Sequence, residues 1–201
     1  MLDARVRPLI EPALERGARR FVGPPVTAAM VTVAGFAVGL VAILLVSQGH
    51  YLAGLFCLLV NRVADGLDGA LARRRGPTDL GGFLDIVLDF LIYSGFVFAF
   101  ALADPAANAL AAAFLIFSFV GTGGSFLAFA AMAAKRRLEM PEGTSRSLYY
   151  LGGLTEGTET ILFFVLFCLF PAWFPVLATL FGALCWLTTA ARIMTAWRVL
   201  R

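Results

Sequence analysis

The chain has 201 residues, 60% of them hydrophobic and only 14% charged, with a mean hydropathy of +0.87. That balance excludes an ordinary soluble domain, in which about a quarter of residues are charged. The net charge of +3 is modest, and its cations gather at the edges of apolar stretches, which points to anionic lipid headgroups and excludes nucleic acid as the partner.

The first 22 residues carry Arg5, Arg7, Arg16, Arg19 and Arg20 together with Asp3, Glu11 and Glu15, so no apolar core of signal-peptide type is present. Leu2, Val6, Leu9, Ile10, Ala13, Leu14, Ala18 and Phe21 recur at helical spacing opposite the charges. An amphipathic helix lying in the membrane interface is expected over 1–22. A flexible tail is the alternative.

Apolar stretches follow at 27–48, 51–74, 81–103, 106–134, 152–170 and 172–197. Each is long enough to cross a hydrocarbon core about 30 Å thick at ~1.5 Å per residue. The expected fold is an all-α membrane protein, a single domain over 1–201 with six transmembrane helices over 27–197. Arg73, Arg74 and Arg75 follow the second stretch, Lys135, Arg136, Arg137 and Arg146 follow the fourth, and Arg198 and Arg201 close the chain. The opposite connections, near His50, Asp104 and Pro171, carry no Lys or Arg. Both termini are therefore expected on the cytoplasmic side.

Within the second and third stretches lie Asp65, Asp68, Asp85 and Asp89. A carboxylate at bilayer depth is costly and marks a functional cavity by default. Asp65, Asp68, Gly69 and Ala72 share one stripe of a helix, and Asp85 and Asp89, four apart, share a face of the next. The turn Gly76-Pro77 breaks the first helix, and Thr78 or Asp79 can cap the second. Two antiparallel helices result, with Asp68 near the depth of Asp85 and Asp65 near that of Asp89, roughly 8–14 Å inside the boundary.

Four such anions cannot all stay ionised in low dielectric without cations. Oxygen-only ligands select hard ions, Mg2+ or Mn2+, and a pair of them about 3.5–4 Å apart suits phosphoryl chemistry. The small residues beside the acids leave room for a bulky ligand, and Arg73 at the shallow end is a natural phosphate partner. An ion or proton pathway is the rival reading. It is disfavoured because the acids cluster on one side, with no matching polar groups in the outer halves of the other spans and no inverted repeat.

The run Asp65-x2-Asp68-Gly69-x2-Ala72-Arg73-x7-Gly81-x3-Asp85-x3-Asp89 resembles the CDP-alcohol phosphotransferase (CDP-alcohol phosphatidyltransferase) motif at all eight of its fixed positions. The span layout resembles that family along essentially the whole chain. The stretch from Leu151 to Ile161 also resembles that of uncharacterised bacterial inner-membrane members of the family.

The resemblance implies an enzyme of phospholipid synthesis. It would transfer a substituted phosphate from a CDP-linked donor, CDP-diacylglycerol first among candidates, to the hydroxyl of a small acceptor alcohol, releasing CMP. A CDP-headgroup donor acting on a lipid acceptor is the alternative. Two divalent ions are implied, held by Asp65, Asp68, Asp85 and Asp89, with Asp89 also the general base. Asp68, Gly69, Ala72, Arg73 and Gly81 would face the nucleotide. Thr78 would lie near the diphosphate, or serve only as a helix cap. Many members carry a Pro-Asn pair three residues before a Thr at the first span; here Thr32 is present without the pair, and by the resemblance it would also contact the donor.

A homodimer in the bacterial inner membrane, with a cytoplasmic active site, is likewise implied. For the acceptor, Lys135, Arg146 and Arg192 are candidates to bind a phosphate, the alternative being lipid anchoring and snorkelling. Glu156 and Glu159 are candidates to meet an amine, or else acids favoured by a helix dipole.

Overall fold

The structure, a computed structural model, describes residues 3–19, 26–136 and 155–201. Its helices are α1 (Asp3–Arg19), α2 (Ala28–Ser47), α3 (Tyr51–Arg75), α4 (Asp79–Ala103), α5 (Pro105–Lys135), α6 (Gly157–Leu169) and α7 (Phe174–Leu200), with a single 3-10 turn at Pro171–Trp173. No strand occurs among the described residues.

Side chains set the helix starts. Thr27 Oγ1 accepts from Met30 N at 3.2 Å, Thr78 Oγ1 from Gly81 N at 3.1 Å, and Asp104 Oδ1 from Ala107 N at 3.1 Å. Each satisfies an amide that the first turn leaves without a partner. Two turns reverse the chain, and each holds a glycine in the left-handed region, Gly49 at φ 81° and Gly76 at φ 95°, where a side chain would be strained.

Small residues allow the helices to approach. A methyl group at Gly54 would lie 2.4 Å from Val46 Cγ2 and 3.1 Å from the Ala42 carbonyl, and one at Gly35 would lie 2.8 Å from Ala64 Cβ. These contacts press α2 onto α3. Gly39 does the same for α2 and α4, against Ile92. Helix α1 docks on α3, with Leu14 packed over Gly66 and Leu67 over Gly17. Helices α5 and α7 form the second principal pair.

The core is aromatic and lies beyond the aspartates along α4. Phe96, Phe100, Phe164, Phe167, Phe174 and Phe181 are fully buried. Phe100 stacks on Phe174 with centroids 4.5 Å apart and on Tyr51 at 5.3 Å. Such pairs add about 0.5–1.5 kcal/mol each beyond burial. Asn108 Nδ2 donates to the Phe100 carbonyl at 2.9 Å, tying α5 to the same layer.

Among the described residues, four segments are long and apolar enough to cross a membrane: Ala28–Ser47, Asp79–Ala103, Pro105–Lys135 and Pro171–Leu200. Large apolar side chains stand exposed along them, among them Leu110, Val120, Phe98 and Leu187. This is a surface for lipid, since a soluble monomer exposes no such belt. The chain is a multi-pass membrane protein.

Six spans were expected. Helix α3 has the length but carries Asn61, Arg62, two aspartates and three terminal arginines, which lower its hydropathy, and α6 is 13 residues long. At the N-terminus, where an interfacial helix was expected over 1–22, α1 covers Asp3–Arg19 and rests on α3.

Candidate active site

The α3–α4 hairpin brings three of the four aspartates together. Asp65, Asp68 and Asp85 each offer a carboxylate oxygen, and these oxygens lie within 4.8 Å of one another. Asp68 is buried, and its Oδ2 has no hydrogen-bond partner. A buried carboxylate oxygen without a partner is costly, and two neighbouring carboxylates make it more so. The set fits a hard divalent cation, for which oxygen ligands at about 2.0–2.2 Å would span this distance after small side-chain movements.

Asp89, one turn deeper on α4, has a different partner. Its Oδ1 accepts from Arg62 Nη2 at 2.7 Å. Arg62 also donates through Nε and Nη2 to Asn61 Oδ1 at 2.9 and 2.7 Å, and through Nη1 to the Tyr93 hydroxyl at 2.9 Å. Its guanidinium lies 5.1 Å from the Tyr93 ring centroid and 3.8 Å from Asp65 Oδ2. Asn61 Nδ2 is in turn fixed by the Gly35 carbonyl of α2 at 2.9 Å. No role for Arg62 follows from the motif. A signal was nevertheless present, because an arginine in an apolar helix three residues before Asp65 shares a face with it.

Two cavities meet at Asp68, Gly69 and Asp85. One, of about 320 Å³, is lined by Thr32, Ala72, Arg75, Thr78 and Gly81 as well as those three. It gathers the residues expected to face a nucleotide except Arg73, and Thr78 lines it while also capping α4. The other, of about 370 Å³, lies between α1, α3, α4 and α6 and is lined by Arg62, Asp65, Tyr93, Thr158 and Ile161.

Arg73 faces the second cavity, 3.4 Å from Glu11 Oε1 of α1. Arg75 faces the first, where its Nη1 donates to the Val26 carbonyl at 2.6 Å. Arg75 stands seven residues after Asp68, on the same stripe, so helical spacing alone could have assigned it. Arg74 donates through Nε to Glu15 Oε2 at 3.0 Å. That hydrogen bond is the largest influence on Glu15 and holds its carboxyl below the usual glutamate range.

The expected acceptor residues lie elsewhere. Glu156 and Glu159 form a capping box at the start of α6, with the Glu156 amide donating to Glu159 Oε2 at 3.2 Å. Their neighbours Gly157 and Thr158 line the second cavity. Arg192 Nη1 donates to the Thr122 carbonyl at 2.8 Å and sits 5.7 Å from the Phe126 ring centroid. It lines a separate cavity of about 590 Å³ between α5 and α7, which shares no residue with the other two. Lys135 is exposed at the end of α5, and Arg146 lies outside the described residues.

Known proteins share both sequence and fold. The CDP-alcohol phosphatidyltransferase family profile matches residues 25–197. The chain is 55% identical over 201 residues to the inner membrane protein YnjF of Escherichia coli, spanning 100% of this chain and 98% of that protein. It is 36% identical to the archaetidylinositol phosphate synthase of Pyrococcus horikoshii over 101 residues, 49% of this chain and 53% of that protein. The fold is similar to the Mycobacterium tuberculosis phosphatidylinositol phosphate synthase crystallised with CDP-DAG, with a TM-score of 0.67 at 20% identity over 92% of this chain and 93% of that one. A second structure of that enzyme, with manganese and citrate, gives a TM-score of 0.66 at 21% identity over 92% and 88% of the two chains. An aspartate hairpin set between two cavities, in a chain matched by one profile nearly end to end, is thus a membrane transferase of substituted phosphate groups, and the chain belongs to the CDP-alcohol phosphatidyltransferase family.

Proposed function

We propose that the chain transfers the phosphatidyl group of CDP-diacylglycerol to the hydroxyl of a small alcohol, releasing CMP, as a step of phospholipid synthesis. The observation that carries this reading is the meeting of two cavities at Asp68, Gly69 and Asp85. One cavity would hold the donor, the other the acceptor, and the phosphorus would lie where they join.

On the donor side, Gly69 and Gly81 admit the nucleotide close to the backbone, Thr32 and Thr78 offer hydroxyls, and Arg75 offers a cation to the phosphates. Asp89, set in its own small recess beside Thr32, Arg62, Asp65 and Asp68, takes the hydroxyl proton as the alcohol oxygen bonds to the phosphorus nearest the diacylglycerol. The bond from that phosphorus to the bridging oxygen breaks, and its electron pair leaves with CMP. Asp65, Asp68 and Asp85, with Asp89 as a further ligand, would hold two divalent ions, Mg2+ or Mn2+. When bound, these would supply charge neutralisation along the pyrophosphate. Support for metal use comes from the clustered carboxylates and from the manganese complex of the structural relative.

Helix α3 joins α2 and α4, both long and apolar enough to cross, through two short turns, and its 25 residues extend about 37 Å. It therefore crosses with them. With the α6 region, the bundle has six spans and both termini on one side, the cytoplasmic side by the distribution of arginine. Helix α1 then lies in the interface beside the site. The setting is the bacterial inner membrane, as named for the E. coli relative, and the assembly is a homodimer.

The test uses purified protein, Mg2+ or Mn2+, labelled CDP-diacylglycerol and a panel of phosphorylated and unphosphorylated alcohols, with CMP release as the readout. CDP-headgroup donors with diacylglycerol form a second arm. Metal-dependent CMP release with one acceptor in the first arm, lost in Asp89→Asn, is expected. Turnover only in the second arm, or none in either, overturns the assignment.

A further inference from the structure

We infer that Arg62 is a positioning residue for Asp89, an inference that rests on the reading of Asp89 as the group receiving the acceptor proton. The guanidinium has five N–H bonds in one plane, and four go to this chain: two to Asn61 Oδ1, one to the Tyr93 hydroxyl and one to Asp89 Oδ1. Little capacity is left for a ligand, so Arg62 acts through another residue.

The line of bonds crosses three helices. The Gly35 carbonyl of α2 fixes the Asn61 amide, Asn61 fixes the guanidinium, and the guanidinium fixes the Asp89 carboxylate of α4. Tyr93, one turn beyond Asp89, holds the opposite edge through its hydroxyl and lies under the cation. The Arg62 side chain is 13% exposed, so it has one arrangement open to it.

Engaging Oδ1 has two consequences for Asp89. Its carboxylate is drawn towards Arg62 and stands outside the set formed by Asp65, Asp68 and Asp85. The oxygen that Arg62 does not hold, Oδ2, is the one that this arrangement would offer to an alcohol hydroxyl. Arg62 thus divides four similar carboxylates into a group of three and a fourth with its own orientation. A lysine could supply the charge but not the planar fork that meets Asn61, Tyr93 and Asp89 together.

The test compares wild type with Arg62→Met, Arg62→Lys and Tyr93→Phe in the full chain, reading both turnover and Mn2+ binding by electron paramagnetic resonance. With Arg62→Met, kcat is expected to fall roughly 100-fold while the donor KM stays within about threefold of wild type. Mn2+ affinity is expected to rise about tenfold or more, because a buried cation has left the carboxylates. Arg62→Lys should recover only a minor part of kcat. Tyr93→Phe, which deletes one hydrogen bond, should reduce kcat by about threefold to tenfold with the helical content intact.

A merely structural arginine would lower metal binding and turnover together, and that result overturns the inference. So does a kcat within about threefold of wild type in folded Arg62→Met. If wild type itself releases no CMP, the functional reading fails, and the Mn2+ arm still decides this one. Adding Asp89→Asn to Arg62→Met should then cancel most of the affinity gain, and an unchanged affinity in Arg62→Met refutes the coupling.

Discussion

Arg73 and Arg75, two residues apart at the end of α3, face opposite cavities: Arg73 lies 3.4 Å from Glu11 of α1, and Arg75 donates to the Val26 carbonyl ahead of α2. Two residues along a helix turn a side chain by about 200°. Only Arg75 shares the lining of the cavity that holds Thr32, Thr78 and Gly81.

Arg75→Ala is therefore expected to raise the donor KM about tenfold, the worth of one charge-assisted contact to phosphate, with kcat nearly unchanged. Initial rates at varied CDP-diacylglycerol check this. A fall in kcat at constant KM would remove Arg75 from donor binding.

Asp68 is costly to the fold. Its buried Oδ2 lacks a partner, so Asp68→Asn is expected to raise the melting temperature of the metal-free protein. The gain should match relief of about 1–3 kcal/mol. The same change should abolish turnover and the upward thermal shift that added Mn2+ gives wild type by mass action. Thermal unfolding with and without Mn2+ reads both effects.

The docking of α1 should depend on acid. Glu15 is held below the usual glutamate range by Arg74. Its contribution is fully present above the ordinary value of about 4.3 and is lost as pH falls through the depressed one. Hydrogen-exchange protection of α1, corrected for intrinsic rates, should decline over that window. Glu15→Gln should show the low-pH protection at every pH.

Gly54→Ala tests the α2–α3 contact. The added methyl meets Val46 Cγ2 at 2.4 Å and the Ala42 carbonyl at 3.1 Å, and the backbone cannot yield cheaply. A loss of about 1–3 kcal/mol corresponds to a melting temperature lower by about 2–4 °C per kcal/mol. An unchanged melting temperature would show that the helices separate freely.

What the chain revealed unaided follows from short-range rules. The cap at Thr78, the turn at Gly76 and the stripe of Asp65, Asp68, Gly69 and Ala72 depend on neighbours within a few residues, and the structure has them all. Arg62 was harder to interpret because its partners, Tyr93 and Asp89, come from another helix, and a long side chain can reach several. Arg192, a candidate to bind an acceptor phosphate, sits on a helix that pairs with α5, which takes it to the Thr122 carbonyl. Glu156 and Glu159 satisfied backbone amides at a helix start, where acids are favoured anyway. The stretch expected over 51–74 is present as α3, Tyr51–Arg75, although its charges lower its mean hydropathy.

The stacked, fully buried rings of Phe100 and Phe174 fill the bundle beyond the aspartates. If the site handles a lipid as proposed, that packing bars the far end, and substrate and product would exchange through the leaflet on the aspartate side. A lipid formed there would then need a separate translocator to reach the opposite face.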